Sequence, residues 1–492
     1  MPSAIFLKME KAKEIAWNWI DENKGRLIEV CDKIWSYAEL GLLEYKSSKL
    51  LADLLREHGF KVEMGVAGMP TAFVATWGEG KPVIGIMGEF DALPGLSQKP
   101  VPYREPIEEG APGHGCGHNI HGTSGAAGAI ALKVAMEQLG LKGTVKFFGT
   151  PAEENYSGKV YMVREGLFRD VDIVLSHHPS QLNTAGLSSC NAITSVKFHF
   201  YGKSSHAAGS PEMGRSALDA VELMNIGVNY LREHVIDKAR IHYIIEFGGT
   251  QPNIVPDYAR SWYYIRAPEW DQVEAIYKRI LKIAEGAALM TETEMKVEVL
   301  GGSYNLLPNK VLSEVVIKNM REIGAPEYTD EELEFAAKIA ETIPKEEKIG
   351  MLRRIELPNW ERYVDVNLVR DIFDPWDEGK VYPASTDVAD VSWQAPTMEF
   401  STTAFVLGSP GHSWQNVACA GMSIGHKSML FAAKVIAGAA IDFLTNPELL
   451  KRAWDEFKRR RAGRTYKSPL PPDLKPPLEV AKATAEAALR RR

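Results

Sequence analysis

The pattern of apolar and polar positions changes twice along the chain. Between residues 8 and 60, Ile28, Ile34, Leu50, Leu51, Leu54 and Leu55 recur among charges at the spacing of a helix face, which predicts helices. Then TAFVATWG (71–78) and PVIGIMGEF (82–90) are short apolar runs bounded by Gly and Pro, the pattern of buried strands. A small-residue helix is predicted over 121–138, a strand over 143–150, a helix near 157–167 and a strand over 171–176. Strands alternating with helices predict an α/β layer, a largely parallel sheet flanked by helices.

Residues 194–302 read strand, helix, strand, strand, helix, strand, the β-α-β-β-α-β order of a ferredoxin-like α+β unit. The α/β pattern resumes afterwards, so this unit reads as an insertion. The predicted division is a catalytic domain in two parts, 1–192 and 304–445, with the inserted domain at 193–303. Within the second part, 310–350 is a pair of charged helices and 352–380 an irregular stretch with tryptophans. The basic, Pro-containing tail, 446–492, is expected to be a solvated helix followed by an extended segment.

Composition narrows the function classes. With 492 residues, 45% of them hydrophobic, the chain has ample material for a core. The net charge of −7 argues against nucleic acid as a partner. Cys31, Cys116, Cys190 and Cys419 are too few for a disulfide framework, so a reducing, cytoplasmic setting is expected. The N-terminus does not read as a signal peptide, and no uninterrupted apolar stretch reaches membrane-spanning length, so no membrane partner is expected.

Four polar clusters follow predicted strands. GHGCGHNIHG (113–122) holds His114, Cys116, His118 and His121, four candidate metal ligands in a Gly-rich loop. Three of the twelve histidines and one of the four cysteines within eight residues argue against an incidental turn. In TPAEEN, the adjacent Glu153 and Glu154 can divide metal binding and general-base work. His177 and His178 precede Pro179, and Glu89 and Asp91 lie in GEFDALPG. Open α/β sheets place ligand sites at the carboxyl ends of their strands, where these clusters fall. Single histidines, His206 in GKSSHAAGSP, His412 in GHSWQ and His426 in IGHKSM, are more often structural than functional.

The ordered set DALPG, CGHNIHG, PAEEN, HHP, GKSSHAA, PNIVP and GHKSM, spanning 88–429, resembles the dinuclear metallo-aminoacylase/carboxypeptidase family in its amidohydrolase branch. The variants CGHN, SHHP, STDVADVSW (385–393), GHSWQ and GHK, with a long insert at 325–385, are most similar to its p-aminobenzoyl-glutamate hydrolase subfamily. The resemblance implies Cys116, His118, Glu154, His178 and His426 as metal ligands; His178 is preferred to His177 because it directly precedes the proline. It further implies Glu153 as general base, Asp91 as the carboxylate orienting His118, and His206 as a carbonyl-polarising group that reaches across a dimer interface. Asn253 and Arg266 are the implied substrate-contacting positions. Glu89 departs from the pattern, standing where carboxypeptidase-type members carry a metal-binding His.

The implied cofactors are two divalent metal ions, Zn or Mn first, with Co or Ni also accepted. The implied reaction is hydrolysis of the amide bond of an N-acyl amino acid, p-aminobenzoyl-glutamate or a similar aromatic-acyl conjugate, by water activated between the metals with Glu153 as base. Alternatives are a dipeptidase or carboxypeptidase on unusual dipeptides, and a non-catalytic subunit of a heteromeric amidohydrolase. The complete set of chemical groups argues against the last. The inserted domain is expected to serve as lid and dimer surface, hinged near 190–194 and 302–306. The implied assembly is a homodimer or higher homo-oligomer, or a pairing with a paralogous subunit. Trp360, Trp376, Trp393 and Trp414 are candidates for an aromatic pocket.

Overall fold

The computed structural model describes residues 4–490. Its strands, in chain order, are β1 (Lys61–Met64), β2 (Phe73–Glu79), β3 (Val83–Gly88), β4 (Gly143–Gly149), β5 (Ile173–Ser180), β6 (Asn183–Thr184), β7 (Ser189–Cys190), β8 (Ala192–Tyr201), β9 (Arg240–Phe247), β10 (Tyr258–Ala267), β11 (Glu294–Ser303), β12 (Ile372–Phe373), β13 (Val381–Tyr382) and β14 (Thr397–Thr403). Eight of them form one sheet in the order β1-β2-β4-β3-β5-β14-β6-β12. Its centre, β4-β3-β5-β14, is parallel, while β1 and β2 add antiparallel pairs at one edge.

Neighbouring side chains along the central strands enter opposite layers. Ile84, Ile86, Phe147, Ile173 and Leu175 join one apolar cluster, and Val83, Met87, Phe148 and Val174 another. A sheet covered on both faces needs no polar side, which is why VIGIMG reads as an unbroken apolar run. On the first face lies the His118–Leu139 helix, packed against the Ala4–Glu22 and Ser423–Thr445 helices. Its glycines allow that approach: a Cβ on Gly122 would stand 2.5 Å from Glu89 O, and one on Gly125 2.5 Å from Met87 O. The Ser423–Thr445 helix is long and apolar enough by length and composition alone to cross a membrane, but most of it is buried in this interior.

The remaining long strands form a separate antiparallel sheet, β11-β8-β10-β9, with the Ala217–Leu231 and Trp270–Thr291 helices on one face. Its core is its own cluster, including Val196, Phe198, Phe200, Val221, Ile265 and Ile280. β8 alternates buried and half-buried positions, as expected of a sheet covered on one face.

The C-terminal segment is not the solvated extension expected from its composition. Leu470 and Ala481 are buried against the second face of the large sheet. Arg164 donates to the carbonyls of Pro471 and Leu474, and Tyr466 Oη donates to Asp390 Oδ1 at 2.8 Å. Arg464 pairs with Glu269, at the start of the Trp270–Thr291 helix. Proline fixes the path of this segment, and its apolar side chains then find the sheet face left open beside the Gly158–Arg164 and Val388–Ser392 helices.

Candidate metal centre

The carboxyl ends of β3, β4 and β5 converge with the Gly-rich loop before the His118–Leu139 helix. β3 delivers Glu89 and Asp91, β4 delivers Glu153 and Glu154, β5 carries His177 and His178, and the loop presents Cys116. Backbone turns aim these groups. Gly117 has φ +74, and a Cβ there would stand 2.7 Å from Pro179 Cγ. Ala152, a non-glycine at φ 60, turns the chain immediately before Glu153, and its N–H donates to the buried Glu44 carboxylate at 2.8 Å.

Three donor groups share a small volume: Cys116–His118–His178, Cys116–Glu154–His412 and Glu89–His118–Glu153. A fourth lies beside them, Glu89–His121–Glu399. The histidine tautomers separate these groups. His118 Nδ1 lies 2.7 Å from Asp91 Oδ1 and 3.1 Å from Asp91 O, both acceptors, so Nδ1 carries the proton and Nε2 a free lone pair. His178 Nδ1 donates to Pro179 O at 2.9 Å, leaving its Nε2 lone pair 3.5 Å from Cys116 Sγ. His121 is the reverse. Its Nδ1 accepts the Glu89 N–H at 3.0 Å, so Nε2 holds the proton and donates toward Ser176 and the nearby carboxylates. His121 is thus a hydrogen-bond donor, and the group containing it is a polar network rather than a ligand set.

Buried acceptors without a hydrogen-bond partner mark the centre: Glu89 Oε2, His118 Nε2 and Glu154 Oε1. His118 Nε2 is 3.0 Å from Glu89 Oε2 and 3.9 Å from Glu154 Oε1. Lone pairs facing each other in a buried space call for a cation between them. Burial pushes the Cys116 thiol up to about 12 in the protein alone, so an adjacent metal is what would hold it as thiolate. Burial, with Glu89 and Asp387 nearby, raises the Glu153 carboxyl well above the usual range, against the pull of Lys159 and His118. A thiolate, imidazoles and carboxylates together fit divalent transition metals.

Of the ligand set implied by resemblance, the structure brings together Cys116, His118, Glu154 and His178 and leaves out His426. His426 sits in the first turn of the Ser423–Thr445 helix, where its Nε2 is 2.6 Å from Asp32 Oδ1 on the Lys24–Tyr37 helix. The group beside Glu154 is His412, with Nε2 3.4 Å from Glu154 Oε2. His412 is reached because its loop lies over the Gly-rich loop: Asn416 donates to Gly115 O, and a Cβ on Gly115 would stand 3.4 Å from His412 Cα. Both histidines follow a glycine, so the local sequence does not separate them.

His177 is held by Ser124 and Thr402 hydroxyls, and His114 by Ile34 O, both outside the donor groups. His206 is on an exposed loop of the inserted domain. Its Nδ1 accepts N–H bonds from Ala208 and Gly209, so Nε2 carries the ring proton and is a donor. Asn253 lies beside it, its carbonyl accepting from Ala207 N. Arg266 is at the other end of β10, bonded to Ser385. Trp393 is core, donating to Asn305 O, and Trp360 and Trp376 belong to a small apolar cluster around Leu352 and Leu357. Trp414 packs on the main core. None of the four tryptophans lies in the donor groups. Lys159 lies in none of the quoted motifs, and Asp387 lies in STDVADVSW without being singled out there: Lys159 is fully buried and bonded to Glu89 and Asp387.

Residues 85–354 match the profile of peptidase family M20/M25/M40. Across 93% of its length the chain is 40% identical to a subunit of the p-aminobenzoyl-glutamate hydrolase of Escherichia coli (strain K12), covering 97% of that protein. It is 31% identical to the Xaa-Arg dipeptidase of Homo sapiens over 89% of this chain and 90% of that one. Among solved structures, a dinuclear metal-binding peptidase of the M20 family from Bacillus subtilis shares the fold, with a TM-score of 0.55 at 17% identity, over 86% of this chain and 99% of that one.

Proposed function

The chain belongs to peptidase family M20/M25/M40 and is a metallo-amidohydrolase, and from that premise we propose that it hydrolyses the amide bond of N-acyl amino acids, with p-aminobenzoyl-glutamate as the leading substrate. The observation that carries this reading is the convergence of Cys116, His118, Glu154, His178 and His412, with unpartnered buried acceptors, immediately beside Glu153. The extended similarity to the Escherichia coli protein supports the choice of acyl-glutamate.

Those five residues would hold the divalent ions, Zn or Mn being the first candidates. When bound, the ions supply Lewis acidity toward water and the scissile carbonyl. Glu153 takes a proton from the attacking water and returns it to the departing amine. Asp91 holds His118 in the tautomer that leaves Nε2 free. His206 offers its Nε2–H to the carbonyl oxygen as negative charge develops there.

His206 stands on the inserted domain, so it must be delivered by closure or by a second subunit. β9 is the outer strand of that domain's sheet and exposes Ile244, Ile245 and Phe247, with Ile226 and Tyr230 on the adjacent helix. An apolar sheet edge of this kind is a pairing surface. A second copy of this chain is the proposed occupant, or a paralogous chain, since the Escherichia coli relative is itself named as one subunit of its enzyme.

Similarity to the Xaa-Arg dipeptidase favours one second reading, hydrolysis of dipeptides with a C-terminal arginine. The test is amine release by metal-loaded protein from p-aminobenzoyl-glutamate and from Xaa-Arg dipeptides, with Glu153→Ala as control. Glutamate release that disappears in the control supports the first reading. Turnover of the dipeptides alone replaces it with the second.

A further inference from the structure

Glu89 has two oxygens with opposite fates. Its Oε1 accepts from Lys159 Nζ at 2.6 Å. Lys159 is fully buried, and its Nζ also donates to Asp387 Oδ1 at 2.7 Å, while its backbone N–H donates to Asp387 Oδ2 at 2.9 Å. This clamp fixes the direction of the carboxylate plane. The other oxygen, Oε2, is buried and accepts no hydrogen bond, the His121 Nε2 donor standing 3.5 Å away. It faces His118 Nε2 at 3.0 Å, an atom equally without a partner.

The contact is not an ordinary hydrogen bond. His118 Nδ1–H donates to Asp91 Oδ1, so in the neutral ring both facing atoms present lone pairs. Only a cation or an additional proton makes 3.0 Å favourable there. Two donors on one ion, each about 2.0–2.2 Å from it, lie roughly 3 Å apart at octahedral to tetrahedral angles. The observed separation is of that size.

We propose that Glu89 is an additional carboxylate donor of the metal centre, and that Lys159 and Asp387 are the positioning residues that hold its free oxygen there. The inference rests on the metal-centre reading above. Lys159 also limits the cost of crowding: Glu89, Asp91, Glu153, Glu154, Asp387 and Glu399 converge on this region, and Lys159 is the buried ammonium among them. The competing arrangement is a doubly protonated His118 paired with Glu89, which uses no metal at this contact.

The test is metal binding by the full-length protein, read without turnover. Wild type, Glu89→Gln and Lys159→Met are loaded with Zn and Co(II), and ion content per chain, dissociation constants and the Co(II) visible spectrum are measured, with circular dichroism as the folding check. Glu89→Gln is expected to weaken one ion by at least the roughly 10–100-fold typical of losing an outer-shell partner, and to change the Co(II) bands. Lys159→Met, which keeps the carboxylate but frees it, is expected to shift affinity in the same direction by less. Wild-type content, affinity and spectrum in both variants overturn the proposal and leave the metal-centre reading standing. Wild-type protein that takes up no divalent ion overturns both.

Discussion

The catalytic layer and the inserted domain solve the burial problem in opposite ways. In the inserted domain, one face of an antiparallel sheet meets two helices through apolar contacts, and its functional candidate, His206, stands outside on a loop. In the catalytic layer, the sheet is covered on both faces, yet acids, histidines and a lysine crowd into the ends of its central strands. Apolar burial stabilises the first at about 25 cal/mol per Å² without further help. Buried charges in the second cost stability unless paired or bound to an ion. The inserted domain is therefore expected to be stable by itself, while the catalytic centre depends on its metals.

Replacing Glu153 tests the catalytic side most severely. Glu153→Gln is expected to lower kcat by about 10²–10⁴, with metal content unchanged. A variant that keeps its turnover would remove Glu153 as the base. His206→Ala probes the other region, with an expected loss of about 10²–10³ in kcat and no effect on bound metal. Mixing the two inactive variants sharpens the distinction. Turnover regained on mixing means that His206 serves the centre of a neighbouring subunit; none regained assigns it to its own chain.

His412 and His426 come next. His412→Ala is expected to weaken metal binding by about 10-fold or more. His426→Ala should leave metal content as it is and lower stability by about 1 kcal/mol through loss of the Asp32 contact. The opposite pattern would restore the assignment made from sequence resemblance.

A separate prediction, read in stability rather than activity, concerns Asp390, which joins Tyr466 of the C-terminal segment to the Tyr304 backbone. Burial pushes its carboxyl up to about 8 in the folded protein, opposed by those two hydrogen bonds. The folded state therefore keeps a proton that the unfolded chain releases at about pH 4. The contribution is full below that value and is lost as pH rises through about 8, at up to about 1.4 kcal/mol per pH unit. Denaturant titrations from about pH 5 to about pH 8 should show a shallower fall in stability for Asp390→Asn than for wild type.

The order of strands and helices was legible because each carries its own period. The continuous apolar run of β3 and the alternation of β8 follow from two-sided and one-sided burial. Cys116, His118, Glu154 and His178 were legible because they lie at strand ends or in one glycine-rich loop, where local sequence and spatial position coincide. The C-terminal segment misleads because its charges and prolines describe its exposed side, whereas the few side chains that dock it, Tyr466 and Leu470 among them, are sparse along the chain.

The sequence by itself determined the two kinds of sheet, the inserted unit and the strand-end and loop positions of most of the candidate donors, all of which depend on periodicity or on neighbours in the chain. Only the tertiary structure placed His412 rather than His426 beside Glu154, joined Lys159 to Asp387 across 228 residues, and turned the free oxygen of Glu89 toward His118. A side chain's direction and partner depend on how distant helices and loops pack, and a lone histidine or lysine carries no periodic signal that reports it.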